Sequence, residues 1–129
     1  MQTREYTVLV VEDDEDIRAL MVDFLRDEGI HVAEASDGAQ ALEILDAYRA
    51  QLDHLCLILL DLMLPRVSGI DVIRHIRGRG LDIPVVALSA SRNHLAEAML
   101  AGANMAVAKP FDIEEILSVV TSHYPQDQS

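Results

Sequence analysis

The chain has 129 residues, which fits one domain over 1–129 with its core at about 6–123 and a polar tail at 125–129. Half of the residues are apolar and only 4% are aromatic, so the core should be aliphatic. The formal net charge of -12 argues against electrostatic binding of nucleic acid or an anionic membrane, because the Lys and Arg excess that neutralises phosphates is absent. Basic partners or bound cations suit this charge better.

The sequence shows neither a targeting signal nor a membrane span, and it has a single cysteine. Together these features favour a cytoplasmic protein. The first residues lack a basic segment followed by an apolar one, and no apolar run reaches the roughly 18 residues that a membrane span needs. The one cysteine, Cys56, lies in an apolar run, so an intrachain disulfide is impossible and we expect a buried small hydrophobe. A lone thiol suits a reducing compartment.

The first strand is predicted at 7–11, directly before a run of acids. Apolar residues then recur at helical spacing up to Gly29, and we expect this stripe to face the core. Its members are Ile17, Leu20, Met21, Phe24 and Leu25. Asp14 is the predicted N-cap, with two further acids in the first turn, where the positive end of the helix dipole stabilises them.

The rest of the chain repeats this alternation. Further strands are predicted at 31–35, 55–60, 85–88 and, from a weaker pattern, 103–108, with a second helix at 39–50. The remaining helices follow the third, fourth and fifth strands. The apolar residues that mark the second to fifth helices are Leu42, Leu45 and Tyr48, expected to face inward; Ile70, Ile73 and Ile76; Leu95, Met99 and Leu100; and Ile113, Ile116, Leu117 and Val120. This order predicts an α/β fold with a parallel sheet covered on both faces.

Polar residues follow four of the five predicted strands. They are Glu12 and Asp13, Asp61, Ser89, and Lys109. Because the carboxyl ends of parallel strands meet at one edge, we expect these side chains to lie together, at the usual ligand crevice of such sheets. Two carboxylates about 4 Å apart repel by about 4 kcal/mol at an effective dielectric of 20, so three of them need cations. Oxygen ligands with room for water favour Mg²⁺ or Mn²⁺ over zinc.

Lys109 is the only lysine of the chain. An ammonium is a compact point charge that can reach a single phosphoryl oxygen, a task that suits a planar guanidinium poorly. This composition indicates that Lys109 has a specific role at the predicted edge.

Four segments together carry a resemblance to a known family. They are residues 8–14, which end in Glu12, Asp13 and Asp14; residues 59–65 with Gly69; residues 87–90; and residues 109–111. In order and spacing they resemble the receiver domain of bacterial two-component response regulators. The resemblance covers essentially the whole chain and implies a flavodoxin-like (βα)5 fold with strand order 2-1-3-4-5.

The resemblance implies a phosphoryl acceptor and a metal site. Asp61 would take a phosphoryl group from a phosphohistidine on a sensor kinase or a phosphotransfer protein. Asp13, Asp61 and the backbone carbonyl of Met63 would bind Mg²⁺, with Glu12 helping through water. Phosphoryl transfer asks little of a protein beyond an in-line nucleophile and charge neutralisation, which agrees with this set of residues.

The resemblance also implies a phosphoryl-binding group and a switch. Ser89, the backbone amide of Ala90, and Lys109 would receive the phosphoryl oxygens, and this contact would shift the face built by the fourth helix, fifth strand and fifth helix. Ser89 stands where the family more often has Thr, which keeps the hydroxyl. Ala106 stands where the family usually has an aromatic residue, so it cannot signal by ring rotation. The exposed side of the first helix, including Arg18, is implied as a docking surface for the phosphoryl donor.

Alternatives to the receiver hypothesis stay open from sequence. A metal-dependent phosphohydrolase with an aspartyl nucleophile would use similar groups, but such enzymes commonly carry a second Asp where this chain has Met63. A receiver-like interaction module that is never phosphorylated is a third possibility. The chain could also be an excised part of a longer regulator. The cognate kinase, the downstream target and the oligomeric state are not specified by the sequence.

Overall fold

A five-stranded parallel sheet forms the centre of the structure, a computed structural model that describes residues 6–47 and 54–124. Five helices follow the strands in strict alternation. The elements are β1 (Thr7–Val11), α1 (Glu15–Asp27), β2 (His31–Ala35), α2 (Gly38–Ala47), β3 (Leu55–Asp61), α3 (Gly69–Gly78), β4 (Val85–Ser89), α4 (Arg92–Ala101), β5 (Met105–Ala108) and α5 (Ile113–His123). The strand order β2-β1-β3-β4-β5 confirms the predicted α/β, flavodoxin-like topology.

The sheet is covered on both faces because its strands are apolar on both sides. Strand β3 is the clearest case: every residue except the half-buried Cys56 is buried. One core cluster joins the sheet to α2, α3 and α4, and the other joins it to α1 and α5. Continuous apolar strands are what a two-sided parallel sheet requires.

The predicted bounds of the strands and helices agree closely with the bounds in the structure, with small differences at the ends of the elements. Strands β1 and β2 have the predicted bounds, β3 and β4 each run one residue further, and β5 begins at Met105 rather than at 103. Helix α2 begins one residue early and is described to Ala47; Tyr48 and the tail at 125–129 lie outside the described residues. The extra residue of β3 is Asp61 itself, held in the ladder opposite Leu88.

The first helix corrects the predicted core stripe. Met21 and Leu25 are buried and Phe24 is half-buried, but Ile17 and Leu20 are 36% and 60% exposed. Val22 is buried and was not part of the prediction. The physical reason is that the buried residues Met21, Val22 and Leu25 define one face of α1, and Ile17 and Leu20 lie toward the side of the helix that faces away from the sheet. Asp14 is the predicted N-cap, and its side chain accepts a hydrogen bond from the Ile17 amide at 3.0 Å.

Two further apolar markers also lie on the surface. Met99 and Leu100 of α4 are 44% and 90% exposed, and the buried residue of that helix is the small Ala98. In α3 the three predicted isoleucines are all buried. Cys56 is half-buried rather than buried, so it packs at the margin of the core. No helix in the described part of the chain is long and apolar enough to cross a membrane.

Candidate functional site

The carboxyl edge of the sheet is built by registered strand ends. Val11 pairs with Leu60, so the acids that follow β1 lie beside Asp61 at the end of β3. Ser89 pairs with Ala108, and the amide of Lys109 donates to the Ser89 carbonyl at 3.0 Å. The strand ladder therefore brings distant parts of the sequence to one edge.

Three carboxylates cluster at this edge. Glu12, Asp13 and Asp61 each offer an oxygen, and these oxygens lie within 4.8 Å of one another. Glu12 and Asp61 are 1% and 3% exposed, whereas Asp13 is open to solvent. The Asp61 carboxylate is oriented by the amide of Met63, which donates to Oδ1 at 3.1 Å. The arrangement offers hard oxygen ligands on one side of an accessible edge.

Lys109 supplies the positive charge beside these acids. Its Nζ donates to Glu12 Oε1 at 2.9 Å and lies 3.3 Å from Asp61 Oδ2. The Lys109 side chain is 22% exposed, so it is partly open to solvent. The peptide bond between Lys109 and Pro110 is cis. The predicted role of Lys109 as a counter-charge at this edge agrees with these contacts.

The surroundings of this edge shift the pKa of Glu12 and the pKa of Lys109. Burial raises the pKa of Glu12, and the neighbouring Asp61 carboxylate raises it further, while the hydrogen bond from Lys109 acts in the opposite direction. Burial alone would lower the pKa of Lys109, but the hydrogen bond to Glu12 and the charges of Asp61 and Glu12 outweigh it, so the pKa of Lys109 is raised. The ammonium therefore stays charged at neutral pH, and one lysine leaves the three-acid cluster with excess negative charge.

An open cavity of about 350 Å³ lies over this cluster. Its lining residues are Glu12, Asp13, Asp14, Ile17, Asp61, Met63, Ala90 and Lys109. Six of the seven predicted site residues are among them. Met63 is 60% exposed and, with Ile17, gives the cavity an apolar side. The cavity has room for small polar groups next to Asp61.

Ser89 is the predicted site residue that does not line this cavity. It is 1% exposed, and its hydroxyl accepts a hydrogen bond from the Ser91 amide at 3.1 Å. It lines an adjoining cavity of about 300 Å³ together with Met63, Ala90, Ser91 and His94. The two cavities share Met63 and Ala90, so Ser89 lies next to the acid cluster.

Two site features were missed by sequence reasoning. Ile17 was assigned to the core but lines the acid cavity. Arg18 was assigned to a docking surface, yet its side chain is only 17% exposed and donates to the Glu12 carbonyl at 2.9 Å. A possible sequence signal for Arg18 was its position as the first cation after a run of five acids.

Comparison with known proteins decides the family. A family model described as the response regulator receiver domain matches residues 8–121. The chain belongs to the response regulator receiver domain family. This receiver domain is 40% identical over 113 residues to the uncharacterized transcriptional regulatory protein YrkP of Bacillus subtilis, a match that covers 86% of this chain and 46% of that protein. It is 36% identical over 114 residues to the response regulator MprA of Mycobacterium tuberculosis, covering 86% and 47%. The receiver domain thus spans about half the length of these curated relatives.

Solved structures agree with the receiver fold. The Francisella response regulator 1452 receiver domain has a TM-score of 0.82 and 29% identity, covering 92% of this chain and 96% of that one. The receiver domain of the sensor histidine kinase PA1611 from Pseudomonas aeruginosa, with a magnesium ion coordinated in its active site cleft, has a TM-score of 0.77 and 27% identity, covering 92% and 96%. Receiver domains of response regulators interact with histidine kinases or phosphotransfer proteins and are not typical turnover enzymes.

Proposed function

We propose that this receiver domain accepts a phosphoryl group on Asp61 from a phosphohistidine of a sensor kinase or a phosphotransfer protein, with bound Mg²⁺ or Mn²⁺. The observation that carries the proposal is the geometry at the sheet edge. Three carboxylates converge within 4.8 Å, Lys109 lies 3.3 Å from Asp61, and an open cavity adjoins them all. A nucleophile, a cation site and a positive charge are the parts that phosphoryl transfer needs.

The acidic cluster fits a hard divalent cation. Burial, and after it the neighbouring Asp61 carboxylate, raise the pKa of Glu12, so ionising these acids together is costly without a cation. We propose that Asp13, Asp61 and the Met63 carbonyl hold the ion and that Glu12 acts through water. An all-oxygen donor set with an open side suits Mg²⁺ or Mn²⁺. When bound, the ion would neutralise charge that develops on the phosphoryl oxygens. The magnesium-bearing PA1611 receiver domain supports this assignment.

The proposed reaction is an in-line substitution at phosphorus. A carboxylate oxygen of Asp61 forms a bond to phosphorus, the bond from phosphorus to the donor imidazole nitrogen breaks, and the imidazole leaves with the electron pair. Lys109, charged at neutral pH, exchanges part of its contact with Glu12 for a phosphoryl oxygen. The product is an acyl phosphate on Asp61. The domain is therefore modified by its donor and turns over no separate substrate.

Ser89 and Ala90 are proposed to receive the remaining phosphoryl oxygens. The Ser89 hydroxyl accepts from the Ser91 amide, and its own O–H is still able to donate to a phosphoryl oxygen. A phosphoryl contact at Ser89 would therefore act on the segment from Ser89 to Ser91, whose last residue is the N-cap of α4 and accepts from the His94 amide. We propose that the face formed by α4, β5 and α5 changes in response and that a downstream partner reads it.

The phosphoryl donor is proposed to approach over an apolar rim. Ile17 and Met63 line the acid cavity, and Leu20 is exposed one turn further along α1. Exposed apolar residues beside a polar pocket are typical of a surface that a partner covers.

We propose that the phosphoryl transfer takes place in the cytoplasm, where the single thiol of the chain, Cys56, would stay reduced.

The proposal is tested by intact-mass spectrometry after incubation with Mg²⁺ and acetyl phosphate. The expected result is one phosphoryl group, labile to hydroxylamine and absent from Asp61→Asn. Asp37→Asn is the matched control, because Asp37 is also a buried acid but is not a member of the cluster and does not line its cavity; it should still form the adduct. Steady release of phosphate from many organic phosphates would favour the hydrolase instead. Absence of both an adduct and Mg²⁺ binding would favour an interaction module that is not phosphorylated.

A further inference from the structure

Arg18 is a half-buried cation whose side chain contacts the backbone of Glu12, a member of the acidic cluster. Its side chain is 17% exposed, and its Nη1 donates to the Glu12 carbonyl at 2.9 Å. Its Nε donates to Glu34 Oε1 at 3.1 Å, and Glu34 belongs to β2. The guanidinium therefore connects α1, the end of β1 and the edge strand β2.

The backbone of Glu12 is held on both sides. Its amide donates to the Ala35 carbonyl at 3.1 Å, and its carbonyl accepts from Arg18. Its carboxylate in turn accepts from the Asp14 amide at 3.2 Å. The Glu12 carbonyl belongs to the peptide unit that joins Glu12 to Asp13. Because a peptide unit is planar, the direction of this carbonyl sets where the Asp13 chain continues.

We propose that Arg18 is a positioning residue for the divalent cation site. This inference rests on the proposed metal role of Glu12 and Asp13. Arg18 holds the peptide between the two acids, and Glu34 holds Arg18, so both carboxylates are directed at Asp61 before an ion arrives. Groups that orient metal ligands typically change metal affinity by about 10-fold to 100-fold when they are removed.

Geometry rather than charge is the proposed basis of this role. A guanidinium donates in two fixed directions at once, which the contacts to Glu12 and Glu34 use. A lysine at position 18 would keep the charge but has no fixed fork. A charge effect of Arg18 and an orienting effect of Arg18 predict opposite changes in Mg²⁺ affinity when Arg18 is replaced. Loss of a nearby positive charge should strengthen Mg²⁺ binding, whereas loss of orientation should weaken it.

The test compares Mg²⁺ affinity of the full 129-residue chain by isothermal titration calorimetry. Arg18→Gln and Arg18→Lys should each bind Mg²⁺ about tenfold more weakly than the unchanged chain. Arg26→Gln is the matched control. Arg26 also lies on α1 near Glu34, at 3.8 Å, but bonds to the Val32 carbonyl instead of Glu12. Its removal should change affinity less than twofold.

A second measurement separates positioning from general damage. With acetyl phosphate as donor, the Arg18 variants should need about tenfold more Mg²⁺ for half-maximal phosphorylation but should reach a similar maximal rate at saturating Mg²⁺. Urea unfolding in EDTA checks that each variant is folded. If Arg18→Gln fails to fold, Glu34→Gln replaces it as the test variant. This change weakens the contact between Arg18 and residue 34 but keeps the contact between Arg18 and Glu12. It should weaken Mg²⁺ binding about threefold.

The outcomes are distinguishable from failure of the proposed function. An unchanged chain that binds no Mg²⁺ would overturn the metal site itself. An unchanged chain that binds Mg²⁺, together with an Arg18→Lys variant that binds equally well, would overturn the positioning role alone. Tighter binding by Arg18→Gln would assign Arg18 a charge effect and would also reject the inference.

Discussion

The ammonium of Lys109 donates a 2.9 Å hydrogen bond to the carboxylate of Glu12, a residue 97 positions earlier in the chain. Glu12 is 1% exposed, and Asp61 lies 3.3 Å from the same nitrogen. A buried acid without a counter-charge is costly. The contact therefore connects the segment after β1 to the segment after β5 at the proposed phosphorylation site.

Replacing Lys109 should destabilise the domain when no divalent cation is bound. Lys109→Met removes the charge that offsets Glu12 and Asp61, and we expect a loss of about 2 kcal/mol in the free energy of unfolding, less than for a fully buried pair because Lys109 is partly exposed. Added Mg²⁺ should recover part of this loss. Urea denaturation with EDTA and then with Mg²⁺ measures both.

The matched control for this prediction is an exposed ion pair. Arg79→Met removes the 2.7 Å contact to Asp46, whose partners are 36% and 58% exposed, and should cost less than about 0.5 kcal/mol. Equal losses from both variants would contradict the view that burial makes the Lys109 contact important.

Stability of the metal-free domain should depend on pH through Glu12. Burial and the Asp61 carboxylate raise the pKa of Glu12, so the folded state binds this proton more tightly than the unfolded state. The resulting stability is present at low pH and is lost as pH rises from about 4.5 through the raised pKa. Relative to Glu12→Gln, the unchanged chain should therefore become less stable across this window.

Urea unfolding at a series of pH values in EDTA measures this difference. The opposite slope, with the unchanged chain gaining stability relative to Glu12→Gln as pH rises, would mean that the Lys109 hydrogen bond dominates over burial.

A methyl group at Gly69 should disturb the loop that follows Asp61. A Cβ there would lie 2.6 Å from the Leu62 Cα and 2.7 Å from the Asp61 carbonyl oxygen, both backbone atoms. We expect Gly69→Ala to cost about 2 kcal/mol in the free energy of unfolding. Gly78→Ala is the control, since nothing lies within 4 Å of its Cβ and alanine favours helix; it should be neutral or slightly stabilising. Thermal and urea unfolding compare the two, and similar curves would refute the close packing.

The Cys56 thiol should react slowly for a half-buried cysteine. Burial raises its pKa to about 11 from 9.0, so the thiolate fraction at pH 8 falls by about 100-fold. Iodoacetamide labelling followed by mass spectrometry should be correspondingly slow in the native protein and should accelerate as pH rises toward 11. The same protein in urea is the control. A native rate within a few-fold of the unfolded rate would contradict the prediction.

An aromatic side chain at position 106, where the family usually has one, should leave the phosphorylation rate of Asp61 nearly unchanged. Ala106 is exposed on β5 and pairs with Ala87 rather than with a residue of the acid cluster. Ala106→Tyr should therefore be phosphorylated by acetyl phosphate at a rate within about twofold of the unchanged chain, with stability changed by less than about 0.5 kcal/mol. A large change in rate would show that position 106 couples to Asp61 directly.

The candidate site was predictable to a large extent because its residues lie at the carboxyl ends of strands or directly after them. Parallel strands place their carboxyl ends at one edge, so Glu12, Asp13, Asp61 and Lys109 converge once the alternation of elements is recognised. Ser89 was less predictable in detail. Its position at the end of β4 follows from the alternation, but the direction of its hydroxyl depends on the Ser91 amide, which no periodic pattern encodes.

The sequence by itself determined the order of elements, the two-sided sheet and the set of acids, because these depend on local periodicity and on which residues end each strand. Tertiary structure decided which face of each helix is buried. Ile17 and Leu20 have the spacing of a core stripe, yet the buried face of α1 contains Met21, Val22 and Leu25 and leaves them exposed. It also decided that Arg18 turns inward, because the Glu12 carbonyl and Glu34 come within reach of one guanidinium only after β1, β2 and α1 have packed. Contacts between elements distant in sequence are set by packing, and helical spacing alone carries no record of them.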